Sequence, residues 1–313
     1  MSNFWTKLQK PIYALAPMAG VTDSAWRQIC KQFGADVVYS EMASAAALVY
    51  NPEKTLEMLY FKKGERPFVV QIFGADPDHF KIAAALITKK IKPDGLDINF
   101  GCPVKKIQKQ GAGAVLMNKP ELAREIIKSV IDSTNLPVSI KVRSRVDRVD
   151  VLKFLAKVSD LDVKAVMIHG RTLAQGFGGP VDWEIIKKAR DYFGGLVIAN
   201  GGVNSAKDAR ELLAKTRADG VGIARGALGN PWIFSEIKQN KNRPKEAGMI
   251  SKIVLKHARL AKTMKREAGI IEMRKHLCWY AQGLPGARKL RAELVKVKDF
   301  NDIKEALKIL LKK

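Results

Sequence analysis

A chain of 313 residues, 47% apolar and 27% charged, has the composition of a soluble globular protein and can bury one large barrel core or two ordinary domains. Its net charge of +24 favours a polyanionic partner, nucleic acid first, although lysine-rich helices can also be plain solvated surfaces. Three widely separated cysteines (Cys30, Cys102 and Cys278) with no Cys-x-x-Cys pair argue against a zinc site and a disulfide framework, and leave an intracellular thiol enzyme open.

The first apolar stretch does not predict a membrane segment. Residues 12–21 are too few to span a bilayer, and they include Pro17 and Gly20. No secretory pattern of charged, apolar and small residues precedes them. We therefore expect a cytoplasmic protein.

Short apolar runs, typical of parallel strands buried on both faces, recur along the chain. The predicted strands are residues 12–16, 37–39, 68–73, 95–99, 138–142, 165–169, 196–200 and 220–224. Amphipathic helices are predicted between them at residues 24–33, 77–90, 120–133, 149–158, 183–192 and 206–214. About eight strand–helix units over roughly 235 residues predict an α/β protein with a (β/α)8 TIM-barrel fold. A doubly wound open sheet is the alternative, but "PMAGVTD" after the first strand lacks the G-x-G-x-x-G spacing of a dinucleotide-binding turn.

The last quarter of the chain has a different pattern. Strand patterns stop after Pro231, residues 241–248 are predicted to be a linker, and helical periodicity follows at 250–267, 270–282, 286–297 and 299–311. Residues 238–313 contain 21 Lys and Arg against 7 Asp and Glu, a net charge of +14. The sequence therefore predicts a catalytic barrel at residues 1–240 and a basic, all-helical domain at residues 241–313.

Nearly every predicted strand ends in a polar residue or a tight glycine turn, at the barrel face that carries the chemistry in this fold. These strand ends hold Pro17-Met18-Ala19, Glu41, Gln71, Asn99 with Cys102, Lys141 with Arg143, His169 with Arg171, Asn200-Gly201-Gly202 and Ala224-Arg225-Gly226. Each alone has an ordinary explanation, such as a strand-end cap or a satisfied core histidine. Together they predict one site without a carboxylate pair or a cluster of metal ligands.

The last two strand ends favour a phosphate-bearing ligand. Barrels often bind phosphate with the loops after the seventh and eighth strands, where "NGG" (200–202) and "ARG" (224–226) lie. Glycine lets backbone N–H groups approach an anion, and Arg225 adds positive charge. Lys141 is predicted to point into the barrel, either as a Schiff-base nucleophile or to stabilise negative charge on a cofactor ring.

The motif "DINFGCP" (97–103) places Cys102 between a glycine and a proline just past a predicted strand. A buried filler is the commoner role of such a cysteine, whereas a thiol on a loop beside Asn99 can also face a substrate. The motif by itself leaves both interpretations open.

Motifs along nearly the whole chain resemble those of the tRNA-dihydrouridine synthases, most closely their bacterial B-type branch. The matching motifs, in chain order, are "APMAGVTD" (16–23), "SEM" (40–42), "VVQIFGADP" (69–77), "LDINFGCPVKKI" (96–107) with "GAGAVLM" (111–117), "SIKVR" (139–143), "IHGRT" (168–172), "IANGGV" (198–203), "RGALGNPWIF" (225–234) and "MRKHLCWYAQGLPGAR" (273–288).

This resemblance implies an FMN-binding barrel, a helical tRNA-binding domain and NADPH or NADH as reductant, in a protein we expect to be a monomer. It implies that the C5–C6 double bond of uridine is reduced by a hydride from FMN to C6 and a proton from Cys102 to C5. By motif position, the implied FMN-binding residues are Pro17, Met18, Ala19, Gln71, Lys141, His169, Asn200, Gly201, Gly202, Ala224 and Arg225. The implied substrate-binding residues are Asn99, Arg143 and Arg171.

The chain departs from the family pattern at four places. Gly202 replaces a common acidic residue and Ala224 a common glycine, which barely affects phosphate binding by the backbone. The "KVRSRVD" loop (141–147) lacks a frequent tryptophan, and Leu173 replaces a frequent arginine. These last two departures leave the target uridine open.

Two other classes of function compete with this one. A flavin oxidoreductase for small molecules does not explain the basic helical region. An RNA-binding protein on a degenerate barrel does not explain Cys102, Lys141 and two phosphate loops.

Overall fold

The computed structural model describes residues 3–241 and 246–311, the side chains of 310 and 311 excepted. Eight strands form the barrel: β1 (Ile12–Leu15), β2 (Val37–Tyr39), β3 (Phe68–Phe73), β4 (Gly95–Phe100), β5 (Val138–Arg143), β6 (Val163–His169), β7 (Leu196–Asn200) and β8 (Gly220–Ile223). Every one of these strands begins and ends within two residues of its predicted bounds.

The strands close into a parallel barrel. Their spatial order is β2-β1-β8-β7-β6-β5-β4-β3, and β2 also pairs with β3 through Val38 with Phe68 and Tyr39 with Val69. All pairings around the ring are parallel. The predicted TIM-barrel fold is therefore confirmed, and the polar strand ends meet at one mouth.

Helices surround the barrel. They are α1 (Ser24–Gln32), α2 (Ala45–Tyr50), α3 (Pro52–Met58), α4 (Pro77–Lys90), α5 (Lys105–Lys109), α6 (Pro120–Asp132), α7 (Val151–Val158), α8 (Trp183–Lys188), α9 (Ala206–Thr216) and α10 (Ile233–Gln239). The helix predicted at 183–192 ends earlier and continues as a 3-10 turn, Ala189–Asp191. The short helices α2, α3, α5 and α10 were not predicted, because fewer than eight residues give little periodicity.

The strands form the core because almost all their residues are buried on both faces. Gly220 shows how closely the first and last strands approach, since a Cβ there would lie 2.3 Å from the carbonyl oxygen of Ile12. Any side chain at this position would separate β8 from β1 and open the barrel.

The chain ends in three helices: α11 (Ala247–Tyr280), α12 (Ala287–Leu294) and α13 (Phe300–Leu311). The two helices predicted at 250–267 and 270–282 form the single span α11, which is broken by non-helical backbone at Lys265 and Arg266. Residues 242–245 of the predicted linker lie outside the described residues. Within the described ranges, no helix has the length and apolarity needed to cross a membrane.

Helix α11 packs against α1 of the barrel through an aromatic cluster. The indole of Trp26, fully buried on α1, lies 5.3 Å from the ring of His257, 5.0 Å from that of His276 and 6.2 Å from that of Tyr280, measured between centroids. These contacts fix the C-terminal end of α11 beside the barrel mouth, where Trp279 reaches the cleft described below.

Candidate active site

A cleft of about 420 Å³ opens at the carboxyl ends of the barrel strands. All fifteen residues predicted for catalysis, cofactor binding and substrate binding line it. They come from the ends of β1, β3, β4, β5, β6, β7 and β8. A volume of this size is typical of sites for cofactors and drug-sized ligands.

The loop after β1 forms one wall of the cleft with Pro17, Met18 and Ala19. The hydroxyl of Thr22 accepts a hydrogen bond from the N–H of Met18 at 3.2 Å. The carboxylate of Glu41 accepts another from the N–H of Gly20. This wall is therefore held by hydrogen bonds at both of its ends.

A buried hydrogen-bond network lies at the cleft floor between β3, β4 and β5. Gln71 Nε2 donates to Asp97 Oδ2 at 2.7 Å, and Ser139 Oγ donates to Asp97 Oδ1 at 2.7 Å. Gln71 Oε1 accepts from Asn99 Nδ2 at 2.8 Å. Burial raises the pKa of Asp97 to about 6 despite these two donors. The network fixes Gln71 and Asn99 in one orientation each.

Cys102 follows β4 and is 8% exposed. Its N–H donates to Asn99 Oδ1 at 2.9 Å, and its carbonyl oxygen accepts from the N–H of Ala114 at 3.2 Å. Burial raises the pKa of the thiol, although the N–H of Val104 and the cations Arg143 and Lys141 act in the opposite direction. The thiol is therefore protonated at neutral pH and lies in a fixed loop at the cleft wall.

Lys141 extends from β5 across the barrel. Its Nζ lies 3.3 Å from Asn200 Oδ1 on β7, and Asn200 Nδ2 donates to the carbonyl oxygen of Gly222 on β8 at 2.6 Å. Burial, and then the nearby Arg143, lower the pKa of Lys141 to about 8. The ammonium is an incompletely compensated cation that gains from any anionic ligand in the cleft.

His169 ends β6, and its buried side chain lines the cleft. Its burial, together with Lys141 and the three surrounding arginines, lowers its pKa to about 2. The imidazole is therefore neutral at physiological pH, and one of its ring nitrogens can donate a hydrogen bond while the other accepts one.

Two tight turns form the end of the cleft after β7 and β8. Gly201 and Gly202 have positive φ angles of +114° and +76°, and a Cβ at Gly201 would lie 2.8 Å from Cδ2 of His169. A Cβ at Gly226 would lie 2.0 Å from the carbonyl oxygen of Val203. Both turns thus require glycine, and Arg225 of the second turn lines the cleft.

Arg143 and Arg171 line the cleft at the ends of β5 and β6. The guanidinium of Arg143 is buried and donates to the carbonyl oxygens of Gly101, Thr172 and Gly176 at 2.9, 3.0 and 2.9 Å. Arg171 Nε donates to the carbonyl oxygen of Gly179 at 2.8 Å. Its Nη1 is buried without a hydrogen-bond partner among the described residues, and so offers a donor to a ligand.

The cleft also contains residues that the sequence analysis gave no role. Met42, Phe177 and Trp279 line it, and Asp97 lies beneath it. Asp97 and Trp279 lie within motifs that resemble the family pattern, and this position in a motif was the feature of the sequence that could have identified them as site residues. Phe177 follows Gly176 in a loop whose folded position depends on contacts that are distant in sequence.

Val146, in the loop that lacks the frequent tryptophan, and Leu173 belong to two loops that touch. Val146 lies in a two-residue strand, Arg145–Val146, that pairs with Val149–Asp150. The N–H of Leu173 donates to the carbonyl oxygen of Arg145 at 2.8 Å. Both departures therefore lie in one pair of contacting loops that follow β5 and β6. Across the described part of the chain, no three or more His, Cys, Asp or Glu side chains are grouped to hold a metal ion.

Comparison with known proteins gives matches over nearly the whole chain. The family model described as dihydrouridine synthase matches residues 14–313. A probable tRNA-dihydrouridine synthase of Aquifex aeolicus is 32% identical, covering 92% of this chain and 92% of its own. The tRNA-dihydrouridine synthase B proteins of Pseudomonas aeruginosa and Pasteurella multocida are each 35% identical, covering 91% and 86% of this chain and 88% and 83% of their own.

Solved structures with similar folds have low sequence identity. TcOYE with pHBA has a TM-score of 0.55 at 12% identity, covering 74% of this chain and 90% of its own. Morphinone reductase in complex with tetrahydroNAD has a TM-score of 0.51 at 12% identity, covering 77% and 91%. At this identity the likeness shows a common barrel fold.

Proposed function

The chain belongs to the dihydrouridine synthase family, and from this premise we propose that it reduces the C5–C6 double bond of uridines in tRNA, with FMN as cofactor and NADPH or NADH as reductant. The observation that carries this proposal is the convergence of a protonated thiol, a cationic lysine and two glycine phosphate turns on one cleft. In this proposal Cys102 supplies a proton, Lys141 supplies positive charge, and the two glycine turns form a binding site for an anion.

The residues present fit a flavin phosphate. Gly201, Gly202 and Gly226 leave their turns without side chains, so backbone N–H groups can approach an anion. Ala224 and Arg225 border the same space, and the guanidinium adds positive charge. The unpartnered Nη1 of Arg171 is a further donor in the cleft.

Other residues fit a flavin ring. A bound reduced flavin supplies the hydride that reaches C6 of uracil, which is chemistry that side chains do not offer. Pro17, Met18 and Ala19 would line the ring, and Gln71, Lys141 and His169 would bind its polar edge. Lys141 stabilises negative charge there, because its ammonium is partly buried and held by Asn200.

Cys102 is the proposed general acid, which gives its proton to C5 of uracil. Its raised pKa keeps the thiol protonated until transfer, and the nearby cations Arg143 and Lys141 stabilise the thiolate that remains. Asn99 holds the Cys102 backbone, while Arg143 and Arg171 are the proposed contacts to the rest of the nucleotide.

The basic helical region, residues 241–313, is the proposed tRNA-binding domain beside the FMN-binding barrel at 1–240. Trp279 supports this arrangement, because helix α11 brings it to the cleft that Cys102 lines. A uridine must leave the RNA stack to reach Cys102, and phosphate contacts to exposed lysines and arginines hold the tRNA meanwhile. We place the enzyme in the cytoplasm, as a monomer.

The test is direct. Purified protein loaded with FMN is incubated with NADPH and unmodified tRNA, and dihydrouridine is mapped by nucleoside analysis and by primer extension. Formation of dihydrouridine that depends on FMN, reductant and Cys102 is expected. No dihydrouridine in any of several unmodified tRNAs, by a protein that holds flavin and accepts electrons, would contradict the proposal.

A further inference from the structure

The loop after β6, residues 172–179, is held by three arginines through its backbone. Arg143 Nη1 donates to the carbonyl oxygens of Thr172 and Gly176, and Arg171 Nε donates to that of Gly179. Arg225 Nη2 donates to the carbonyl oxygen of Phe177 at 3.1 Å. All three guanidinium groups line the cleft, so the loop is fixed by the same side chains that form the site.

The loop is also braced internally. Gln175 Oε1 accepts from the N–H of Thr172 at 2.8 Å, and Thr172 Oγ1 accepts from the N–H of Gln175 at 3.1 Å. Gly176 and Gly179, with φ angles of +58° and +70°, allow the tight turns on either side of Phe177. The loop therefore presents its one aromatic residue in a defined position.

Phe177 does not serve as a core residue. Its side chain is 55% exposed although it lines the cleft. The guanidinium carbon of Arg225 lies 4.7 Å from its ring centroid, and that of Arg143 lies 5.9 Å away. An exposed aromatic ring among cations is the arrangement with which proteins bind single-stranded nucleic acid, by stacking and charge together.

We propose that Phe177 is a stacking platform for an RNA base next to the one that reacts, an inference that rests on the proposed function in tRNA. Arg143 relates the two positions, because the same guanidinium contacts the carbonyl oxygens of Gly101 and Gly176. These are the residues directly before Cys102 and Phe177. One side chain thus joins the backbone segment that carries the thiol to the backbone segment that carries the ring.

The experiment measures the affinity of the FMN-loaded enzyme for unmodified tRNA with Phe177→Ala, Phe177→Leu and Phe177→Trp. Removal of the ring in the Ala and Leu variants should weaken binding roughly 5- to 150-fold, the range found for removing one base–aromatic stack. Phe177→Trp should keep wild-type affinity. Flavin content and the rate of reduction by NADPH should not change.

Tyr192→Ala is the matched control, because Tyr192 is 43% exposed but does not line the cleft. Wild-type tRNA affinity in Phe177→Ala would overturn the proposal. Wild-type affinity in Phe177→Leu would overturn it too, because any loss of affinity in Phe177→Ala would then come from lost side-chain volume and not from lost stacking. A raised KM for NADPH with unchanged tRNA affinity would assign the ring to the reductant instead. Failure of the proposed function gives a different result. If tRNA binding depends on Phe177 but no dihydrouridine forms, the proposed activity is contradicted, whereas the proposed stacking role of Phe177 is supported.

Discussion

Oδ1 of Asn99 accepts a hydrogen bond from the backbone N–H of Cys102 at 2.9 Å. The same oxygen accepts from the N–H of Gly101, and Nδ2 donates to Gln71 Oε1 at 2.8 Å. Both ends of this amide are therefore engaged within the protein. Asn99 connects the predicted ring-binding residue Gln71 to the loop that carries the thiol, so it positions Cys102 even before substrate arrives.

Replacing Cys102 with Ala should remove the proton donor and leave the cofactor site intact. Rapid-mixing absorbance of the flavin separates reduction with NADPH from reoxidation with tRNA. We predict normal reduction and a reoxidation slower by about 10²- to 10⁴-fold, the usual effect of removing a positioned acid.

Cys278→Ala is the control for Cys102→Ala, since Cys278 is a half-buried thiol on α11 that does not line the cleft. It should leave both half-reactions unchanged. Normal reoxidation in Cys102→Ala would remove this residue from the mechanism. Equal slowing of both half-reactions would indicate a disturbed fold.

Replacing Arg225 with Glu should lower flavin occupancy, because it puts negative charge beside the proposed phosphate site and removes the bond to the carbonyl oxygen of Phe177. Occupancy is measured from the ratio of flavin to protein absorbance after purification. The control is Lys187→Glu. Lys187 is exposed on α8, and its replacement changes the net charge by the same amount, but this variant should retain flavin. Full flavin content in Arg225→Glu would show that the phosphate binds elsewhere.

Affinity for FMN should fall as the pH rises through about 8, because Lys141 then loses the positive charge that favours an anionic ligand. Titration of cofactor-free protein with FMN at a series of pH values on both sides of this pKa measures the fall. In Lys141→Arg the fall should disappear, since a guanidinium stays protonated. The same fall in Lys141→Arg would assign the pH dependence to another group.

The stability of the cofactor-free protein should depend on pH in the opposite direction: it should rise with pH, whereas the affinity for FMN falls. The pKa of Lys141 is about 8 in the folded state and near the ordinary lysine value of 10.5 when unfolded, so the unfolded chain binds more protons between these values. The contribution of Lys141 therefore stabilises the fold as the pH rises through that window. In Lys141→Met this rise should be absent from the denaturant midpoints measured at each pH.

The barrel was predictable because its strands are short, apolar and regularly spaced, and burial on both faces imposes that pattern on the sequence. The mouth residues followed from the strand ends, since parallel strands bring their carboxyl ends together. Helices α2 and α5 were missed because six and five residues carry too little periodicity.

The site relationships that could not be predicted join residues distant in sequence. The bond from Arg143 to the carbonyl oxygen of Gly176 spans 33 residues, and that from Arg225 to the carbonyl oxygen of Phe177 spans 48. Backbone carbonyl oxygens accept these bonds, so no pattern of side chains in the sequence predicts them. The role of Phe177 becomes visible only when the loop is seen in place.

Binding of tRNA should depend on salt through the basic helical region. Lys275, Arg288 and Lys289 are exposed and lie on either side of Trp279 in sequence, and Trp279 lines the cleft. Replacing all three with Gln should reduce the slope of log affinity against log salt by about 0.7–0.9 for each phosphate that the variant no longer neutralises. The slope is measured by filter binding from low to moderate salt.

The matched control for this variant replaces Lys187, Lys188 and Lys207, which are exposed on α8 and α9, with Gln. It should leave the slope nearly unchanged, although it removes the same net charge. Equal reductions in both variants would mean that overall charge, and not this region, provides the affinity. Deleting the helical region is a weaker test, because Trp26 of the barrel packs against α11.

Replacing Trp26 with Ala should destabilise the whole protein, because its indole is fully buried between α1 and α11. Truncation of a buried aromatic typically costs about 3–5 kcal/mol of unfolding free energy. The destabilisation should fall toward the lower end, since the indole Nε1 has no partner among the described residues and its desolvation cost disappears too. Denaturant unfolding measures the change, with Trp183→Ala as the control: Trp183 is half-buried, and its ring lies under the ammonium of Lys215. A smaller destabilisation in Trp26→Ala than in Trp183→Ala would show that α11 does not depend on the Trp26 cluster.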